Sequence, residues 1–224
     1  HTVSGLAAAE AVLNRKQKEA GTLVLDIGAS TTNMAIIEDG EVQFVGVIPV
    51  GGNNITNDLA IGLKTDLEVA EAVKIKHAAL ADAAKEGRVS VEHEKRNHVF
   101  NAVEVNMIIE ARVEELFEFV DKELKKIHKS RKLPGGIMLV GGTSNIAGIA
   151  NFAKEKLELA ARVGKVEGLS GLVDEVKSLQ YVTAVGLMYL DLLFAEQTMP
   201  NKQAKKMVSG SILGNLDNLF KKFK

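Results

Sequence analysis

The strongest constraint on the fold is residues 22–37, where two apolar, β-branched runs flank a short turn of small and hydroxyl-bearing side chains. The first run ends near Asp26, and the turn reads Gly28-Ala29-Ser30-Thr31-Thr32. This pattern predicts two buried strands joined by a tight hairpin. The turn's N–H groups can converge on an anion, Thr31 and Thr32 add hydroxyl donors, and Asp26 can hold a hydrated magnesium ion. An ordinary hairpin is the alternative, because so short a motif is not specific.

The composition limits the class of protein. The chain has 224 residues, of which 46% are hydrophobic and 25% charged, enough for one large domain or two smaller ones. The net charge of -1 gives no general attraction for nucleic acid, so we expect no nucleic-acid partner. The absence of cysteine rules out disulfides and thiolate metal sites and fits a reducing, cytosolic compartment. The five histidines show no paired ligand spacing, and we expect them to be surface residues.

Periodicity predicts an α/β order of strand, strand, strand, helix, insertion, strand, helix, strand, helix. In the second predicted helix, Leu67, Ala70, Val73 and Ala78 share one side, and Glu71 and Lys74 share another. Residues 81–98 are polar and indicate a surface excursion with one short strand. After a helical start at 6–13, the predicted elements are a third strand at 41–50, helices ending at 63 and spanning 67–79, a strand at 88–91, a helix at 101–129, a strand at 136–140, a helix to about 159, a strand at 161–163 and a helix at 181–194.

A second turn, Val140-Gly141-Gly142-Thr143-Ser144-Asn145, lies between a predicted apolar strand and a predicted helix. Glycines at such a place let a nucleotide lie against the backbone, and a helix N-terminus offers free N–H groups. The order of the two turns, with the face that carries Glu71 and Lys74 and the small residues Ala184-Val185-Gly186, resembles the actin-like ATP-binding superfamily.

Within that superfamily the chain resembles the FtsA family of bacterial cell-division proteins along nearly its whole length. The segments that carry the resemblance are Leu25-Asp26-Ile27-Gly28 with Thr31-Thr32, Ile48 to Asn53, Ile55 to Leu63, Glu68 to Lys76, Ile109 to Glu115, Gly141-Gly142, and Thr183 to Leu187.

The resemblance implies an actin-like, ribonuclease H-like α/β domain with a mixed five-stranded sheet and an inserted α+β subdomain. Residues 1–63 and 133–195 correspond to domain 2A, and residues 64–132 correspond to the inserted domain 2B. The first phosphate hairpin and the family's domain 1C have no counterpart here. We therefore expect the chain to match the C-terminal half of such a protein and to begin inside a longer one.

The resemblance also implies the roles of the site residues. Asp26 would orient Mg²⁺ through water, and the other residues implied to bind ATP are Gly28, Thr31, Thr32, Glu71, Lys74, Gly141, Gly142 and Thr143. From the residues alone, Glu71 and Lys74 would be a solvated helix face with a weak charge pair. Ala29, Ser30 and Asn33 stand where the family usually has two glycines and a closing aspartate. We therefore expect ATP binding with slow hydrolysis at most.

The C-terminal residues predict an amphipathic helix over 211–224 after a linker at 196–210. Its apolar arc and lysines fit an interfacial membrane anchor, and docking of the helix on protein is the alternative. The residues assigned to the membrane contact are Ile212, Leu213, Leu216, Leu219, Phe220, Phe223, Lys221 and Lys222. One such helix binds lipid weakly, so firm attachment would need a polymer of the chain.

The resemblance assigns Arg112 and Glu115 to the surface that receives the FtsZ C-terminal peptide, whereas an exposed ion-paired face is the alternative. It implies a protein that polymerises and tethers FtsZ filaments to the cytoplasmic face of the bacterial membrane at the division site. Two other readings stay open. One is a PilM-like pilus-assembly protein, and the other is a sugar or acetate kinase of the same superfamily.

Overall fold

The computed structural model describes residues 2–84, 86–166 and 178–198. The predicted membrane helix at 211–224 and most of the predicted linker at 196–210 lie outside these residues. Residues 196–198 belong to the last described helix, so the helix continues beyond its predicted end. The helices are α1 Thr2–Val12, α2 Arg15–Ala20, α3 Gly52–Gly62, α4 Leu67–His77, α5 Ala102–Lys126, α6 Ile149–Leu157 and α7 Val182–Thr198.

A mixed five-stranded sheet organises the fold, as the resemblance implied. The strands are β1 Thr22–Ile27, β2 Thr32–Glu38, β3 Glu41–Ile48, β6 Gly136–Val140 and β7 Ala161–Val163. They lie in the order β3-β2-β1-β6-β7; β1 pairs antiparallel with β2 and parallel with β6. The carboxyl ends of the parallel strands β1 and β6 therefore meet at one edge, where ligands bind in open α/β sheets.

The two faces of the sheet pack against different helices because successive strand side chains point to opposite sides. Leu23, Leu25 and Ile27 of β1 join a large core that also takes in buried residues of α3, α4, α5 and α6. Val24 and Met138 join a smaller core with α1 and α7. The larger core runs without a break through residues from both predicted subdomains.

Helices α1 and α7 cross closely on the second face. Ala7, Ala8 and Ala9 of α1 are fully buried, and Val182 and Val185 of α7 are nearly so. A Cβ atom on Gly186 would overlap the carbonyl group of Ala7, so this crossing requires glycine. Of the described helices, none combines the length and the apolar character that a bilayer-crossing segment needs.

Residues 81–98 were predicted to be a surface excursion with one short strand, and this prediction was wrong in part. A two-stranded β-hairpin begins at Arg88. Strand β4, Arg88–His93, pairs antiparallel with β5, Arg96–Asn101, and the side chain of Val91 is buried. The connecting residues Glu94 and Lys95 both have positive φ, 47° and 62°. Two-residue hairpin turns of this kind usually carry Asn-Gly or Asp-Gly, so the sequence lacked the signal that predicts a hairpin.

The predicted apolar side of α4 was also wrong at one residue. Val69, Ala70 and Val73 are fully buried, whereas Leu67, the first residue of the helix, is 52% exposed. Leu67 lies at the N-terminal end of α4, before the part of the helix that packs into the core. Val69 takes the core position instead. The short helix α2 was not predicted; it begins at a capping box in which Asn14 and Gln17 exchange hydrogen bonds.

Candidate nucleotide-binding site

The first turn follows β1 and leaves several N–H groups available. The Gly28 amide donates to Thr31 O across the turn at 3.0 Å. The amides of Ala29, Ser30 and Thr31, in contrast, donate to no acceptor in the described part of the chain. Unpaired amides in a turn of small residues form a concavity that suits an anion.

The second turn follows β6 and approaches the end of β1. Gly141 has φ +87°, and a Cβ atom there would lie 2.5 Å from Ile27 O and 2.6 Å from Asp26 Oδ1. Residues 142–145 then form a single 3₁₀ turn. Its first two amides, those of Gly142 and Thr143, donate to no acceptor among residues 2–84, 86–166 and 178–198. Both turns therefore present unpaired amides at the same edge of the sheet.

Hydrogen bonds join the two turns to the start of α3. The Gly28 carbonyl accepts from the Thr143 hydroxyl at 3.0 Å and from the Gly52 amide at 2.9 Å. The Asn53 amide donates to Ala29 O at 2.7 Å. The first N–H groups of α3 therefore hold the hairpin turn in place. Because they donate to the turn, these N–H groups are not available to an external anion.

A cavity of about 330 Å³ opens between these segments. Ala29, Gly52, Gly142 and Thr143 bring the backbone of the two turns and of the start of α3 to its lining. Ile75 and Ala78 of α4 and Ile146 after the second turn supply apolar surface, and Asn53, Glu71, Lys74, Asn145 and Gln180 complete the lining. A site lined by backbone polar groups and by apolar side chains can hold a phosphate chain and a planar base together.

Lys74 links the helix pair that borders this cavity. Its Nζ atom donates to Glu71 Oε2 at 2.6 Å, to Thr56 Oγ1 at 2.8 Å and to the Gly52 carbonyl at 3.1 Å. Thr56 also hydrogen bonds to Glu71 Oε2. The lysine side chain is only 12% exposed, so its ammonium group is largely shielded from bulk solvent.

Asp26, near the end of β1, lies beside Gly141 of the second turn and is 9% exposed. Burial raises the pKa of Asp26 above its ordinary value of 3.8, although a hydrogen bond from Thr183 opposes this rise. Thr183 Oγ1 donates to Asp26 Oδ2 at 2.7 Å. Opposite Asp26 on β2, the buried Oδ1 atom of Asn33 accepts no hydrogen bond from any described residue. A carboxylate and an orphaned oxygen acceptor on one face of the sheet fit a hydrated cation, which brings water protons and positive charge.

The sequence-predicted ATP residues divide by position. Glu71, Lys74, Gly142 and Thr143 line the cavity. Gly28, Thr31 and Gly141 belong to the two turns, and Asp26 lies in β1 just before the first turn, but none of these four residues lines the cavity. Thr32 is fully buried, and its hydroxyl donates to Val50 O at 2.9 Å, so its side chain fixes the end of β3 and does not reach the cavity.

Sequence reasoning did not assign several residues of this site. Gly52 and Asn53 lie in a segment that carries the family resemblance, but the sequence assigns them no role in binding. Their proximity to the turn arises from contacts between residues more than twenty positions apart. Thr183 is 157 positions from Asp26, and no local pattern signals their contact.

The structure places the predicted partner residues on the α3–α5 contact. Arg112 of α5 forms a bidentate ion pair with Asp58 of α3, with Nε–Oδ2 at 2.5 Å and Nη2–Oδ1 at 2.9 Å. Its Nη1 atom also bonds Glu115. The guanidinium therefore already has two carboxylate neighbours, which raise the pKa of Arg112. The assignment of Arg112 and Glu115 to a partner surface stays a prediction.

Comparison with known proteins agrees with this architecture. The family model described as "Cell division protein FtsA" matches residues 23–186. The chain is 35% identical over 191 residues to cell division protein FtsA of Pseudomonas aeruginosa, covering 84% of this chain and 46% of that protein. It is 37% identical over 187 residues to FtsA of Bacillus subtilis, covering 82% of this chain and 41% of that protein.

The chain thus spans about half the length of these relatives. A solved structure with the same fold is MreB5 of Spiroplasma citri bound to ADP, with a TM-score of 0.71 and 17% identity. That likeness covers 87% of this chain and 60% of the other, and it shows an actin-like fold. The family model covers more than half of the chain and contains both turns and α4 and α5. The chain therefore belongs to the FtsA family of bacterial cell-division proteins.

Proposed function

We propose that the cavity between the two turns binds ATP with Mg²⁺. The observation that carries the proposal is that Ala29, Gly142 and Thr143 all line the cavity while their amides have no acceptor in the described residues. Phosphate oxygens satisfy such amides, and the nearby Lys74 charge favours a polyanion. The apolar surface of Ile75 and Ile146 then suits the base end of the nucleotide.

The proposed metal would be held through water near Asp26, whose acceptor oxygens suit the hydration shell of Mg²⁺. Bound Mg²⁺ would neutralise phosphate charge. The residues of this chain then have separate tasks: the turn amides position phosphate, Lys74 contributes positive charge, and Asp26 contributes a fixed acceptor. Of the described residues that line the cavity, only Glu71 is acidic, and it is bonded to Lys74 and Thr56. A carboxylate engaged in this way is a poor base for activating water, which supports slow hydrolysis at most.

We also propose the cellular role that family membership suggests. The protein would polymerise and tether FtsZ filaments to the cytoplasmic face of the membrane at the division site. In this role Arg112 and Glu115 contact the FtsZ C-terminal peptide, and residues 211–224 contact lipid. The match to FtsA favours this role over the PilM-like and kinase readings, because the matched region includes α5, the helix that carries the predicted partner residues.

Nucleotide titration of two methionine variants tests the proposed site. Lys74→Met keeps side-chain length but removes the charge at the cavity. Lys76→Met makes the same change two residues along α4, where the side chain is exposed. We expect Lys74→Met to weaken ATP binding about tenfold, about 1.4 kcal/mol, and Lys76→Met to leave it within about twofold. Equal affinities for both variants would contradict the proposed site.

A further inference from the structure

Asp26 depends on one side chain for its hydrogen bonding. Its Oδ2 atom accepts from the Thr183 hydroxyl at 2.7 Å, and no other donor to this carboxylate is found in the described part of the chain. The other oxygen, Oδ1, lies beside the Gly141 backbone, where a Cβ atom would come within 2.6 Å of it. Without Thr183, the carboxylate would have no donor among the described residues to fix its rotation.

Thr183 is well placed to act as such a donor because its own position is restrained. It is the second residue of α7, and the 3₁₀ turn Leu179–Tyr181 lies directly before this helix. That 3₁₀ turn is bonded to the second turn of the site, because the Gly141 amide donates to Leu179 O at 3.3 Å. Val182 and Val185 on either side are 1% and 2% exposed. The close crossing at Gly186 holds the same end of α7 against α1. A hydroxyl on this rigid segment can therefore fix a carboxylate on β1.

We propose that Thr183 is a positioning residue that orients the Asp26 carboxylate toward the metal–nucleotide complex. The inference rests on the proposed nucleotide function and adds to it a residue outside both turns. The hydrogen bond from Thr183 holds Oδ2 and so fixes the rotation of the carboxylate. The lone pairs that this bond does not use can then accept from the water molecules of the cation. Fixing an acceptor before the ligand arrives reduces the ordering cost of binding.

Paired substitutions at position 183 separate the hydroxyl from the packing of the side chain. Thr183→Val is nearly isosteric and removes the donor, whereas Thr183→Ser keeps the donor and removes a methyl group. Thr65→Val makes the first change at a half-buried residue of the α3–α4 loop that does not line the cavity and has no side-chain hydrogen bond to lose among the described residues. The dissociation constant of ATP is measured for each variant with Mg²⁺ and with excess EDTA.

We expect Mg²⁺ to tighten ATP binding equally in the original chain, Thr183→Ser and Thr65→Val. In Thr183→Val this Mg²⁺-dependent gain should fall about tenfold, the size expected for a hydrogen bond to a charged group, while metal-free binding changes less than about twofold. A merely structural role for Thr183 would weaken binding with and without metal alike. An unchanged Mg²⁺ gain in Thr183→Val, or an equal loss in Thr183→Ser, would overturn the inference.

A double substitution tests whether Thr183 acts through Asp26. Asp26→Asn should lose the Mg²⁺ gain, and adding Thr183→Val should cause no further loss, because residues that act through one another are not additive. Additive losses would overturn the inference while leaving the nucleotide site intact. If the original chain does not bind ATP at all, the proposed function is refuted and the inference falls with it. Failure of the inference alone therefore leaves ATP binding in place, whereas failure of the proposed function abolishes it.

Discussion

Substitution of Gly186 by alanine tests the packing that holds α7, and with it Thr183, against the rest of the fold. In most helix interiors this change is favourable, because alanine is better than glycine in a helix by about 1 kcal/mol. Here the new Cβ atom would overlap the carbonyl carbon and oxygen of Ala7 and lie 3.0 Å from its Cα atom. These are backbone atoms of α1, so no side-chain rotation can relieve the overlap.

The size of the effect follows from what must move. Helix α1 carries Ala7, Ala8, Ala9, Ala11 and Val12, all at most 3% exposed, so its displacement loosens the whole smaller core. Overpacking of this kind costs about 3 kcal/mol, near the upper end of the usual range. After the gain of about 1 kcal/mol from helix propensity, we expect a net loss of about 2 kcal/mol. In a chain of this length, that loss corresponds to a decrease of roughly 6 °C in Tm.

Thermal unfolding followed by circular dichroism measures this loss, and Gly62→Ala is a matched control. A Cβ atom on Gly62 would meet the Cδ1 atom of Ile108 at 2.5 Å, which is the far end of a flexible side chain that can rotate away. We expect the control to change Tm by less than about 2 °C, because the relief costs little and Gly62 is the last residue of α3, where the gain from helix propensity is small. A Gly186→Ala variant as stable as the control would refute the proposed packing constraint on α1 and α7.

Three further predictions concern the ion pair, the tail and the buried carboxylate. Asp58→Asn should release Arg112 from its bidentate partner and tighten binding of the FtsZ C-terminal peptide several-fold in fluorescence anisotropy, because the freed guanidinium can pair with a peptide carboxylate; unchanged affinity here and in Arg112→Met would remove Arg112 from the partner surface. Removal of residues 211–224 should abolish flotation with anionic liposomes, and equal flotation of both forms would contradict the anchor role. Because burial raises the pKa of Asp26 above 3.8, its ionised form destabilises the fold, and this penalty grows as pH rises through the raised pKa. Asp26→Asn should therefore raise Tm at pH 7 and show a smaller gain near pH 4 in the same melts, whereas a lower Tm at pH 7 would contradict the desolvation argument.

The sheet and the two turns could be predicted from the sequence because their signals are local. Residues 22–37 combine strand-forming residues with a small-residue turn, and Gly141-Gly142 follows an apolar run directly. Family resemblance then supplied the mixed five-stranded sheet, but not the order of its strands. The same local logic failed for the β4–β5 hairpin, because Glu94 and Lys95 adopt positive φ without the residues that usually mark such a turn.

The site itself was predictable only in part, because its remaining contacts are non-local. Lys74 and Thr143 followed from the resemblance, but their hydrogen bonds to Thr56 and the Gly28 carbonyl depend on how α3 enters the site. The sequence also suggested a phosphate role for the hydroxyl of Thr32, whereas that hydroxyl is bonded to Val50 O inside the protein. A residue type at a turn indicates which donors are present, but tertiary packing decides where they point.

Amide NMR of the ¹⁵N-labelled chain during titration with ATP and Mg²⁺ tests the central claim most directly. If the nucleotide binds between the two turns, the amide signals of Ala29, Gly142 and Thr143 will shift most, with saturation at a common ligand concentration. Signals on the distant β4–β5 hairpin will stay in place. Saturable shifts confined to other parts of the chain, with those three amides unchanged, would contradict the proposed nucleotide site.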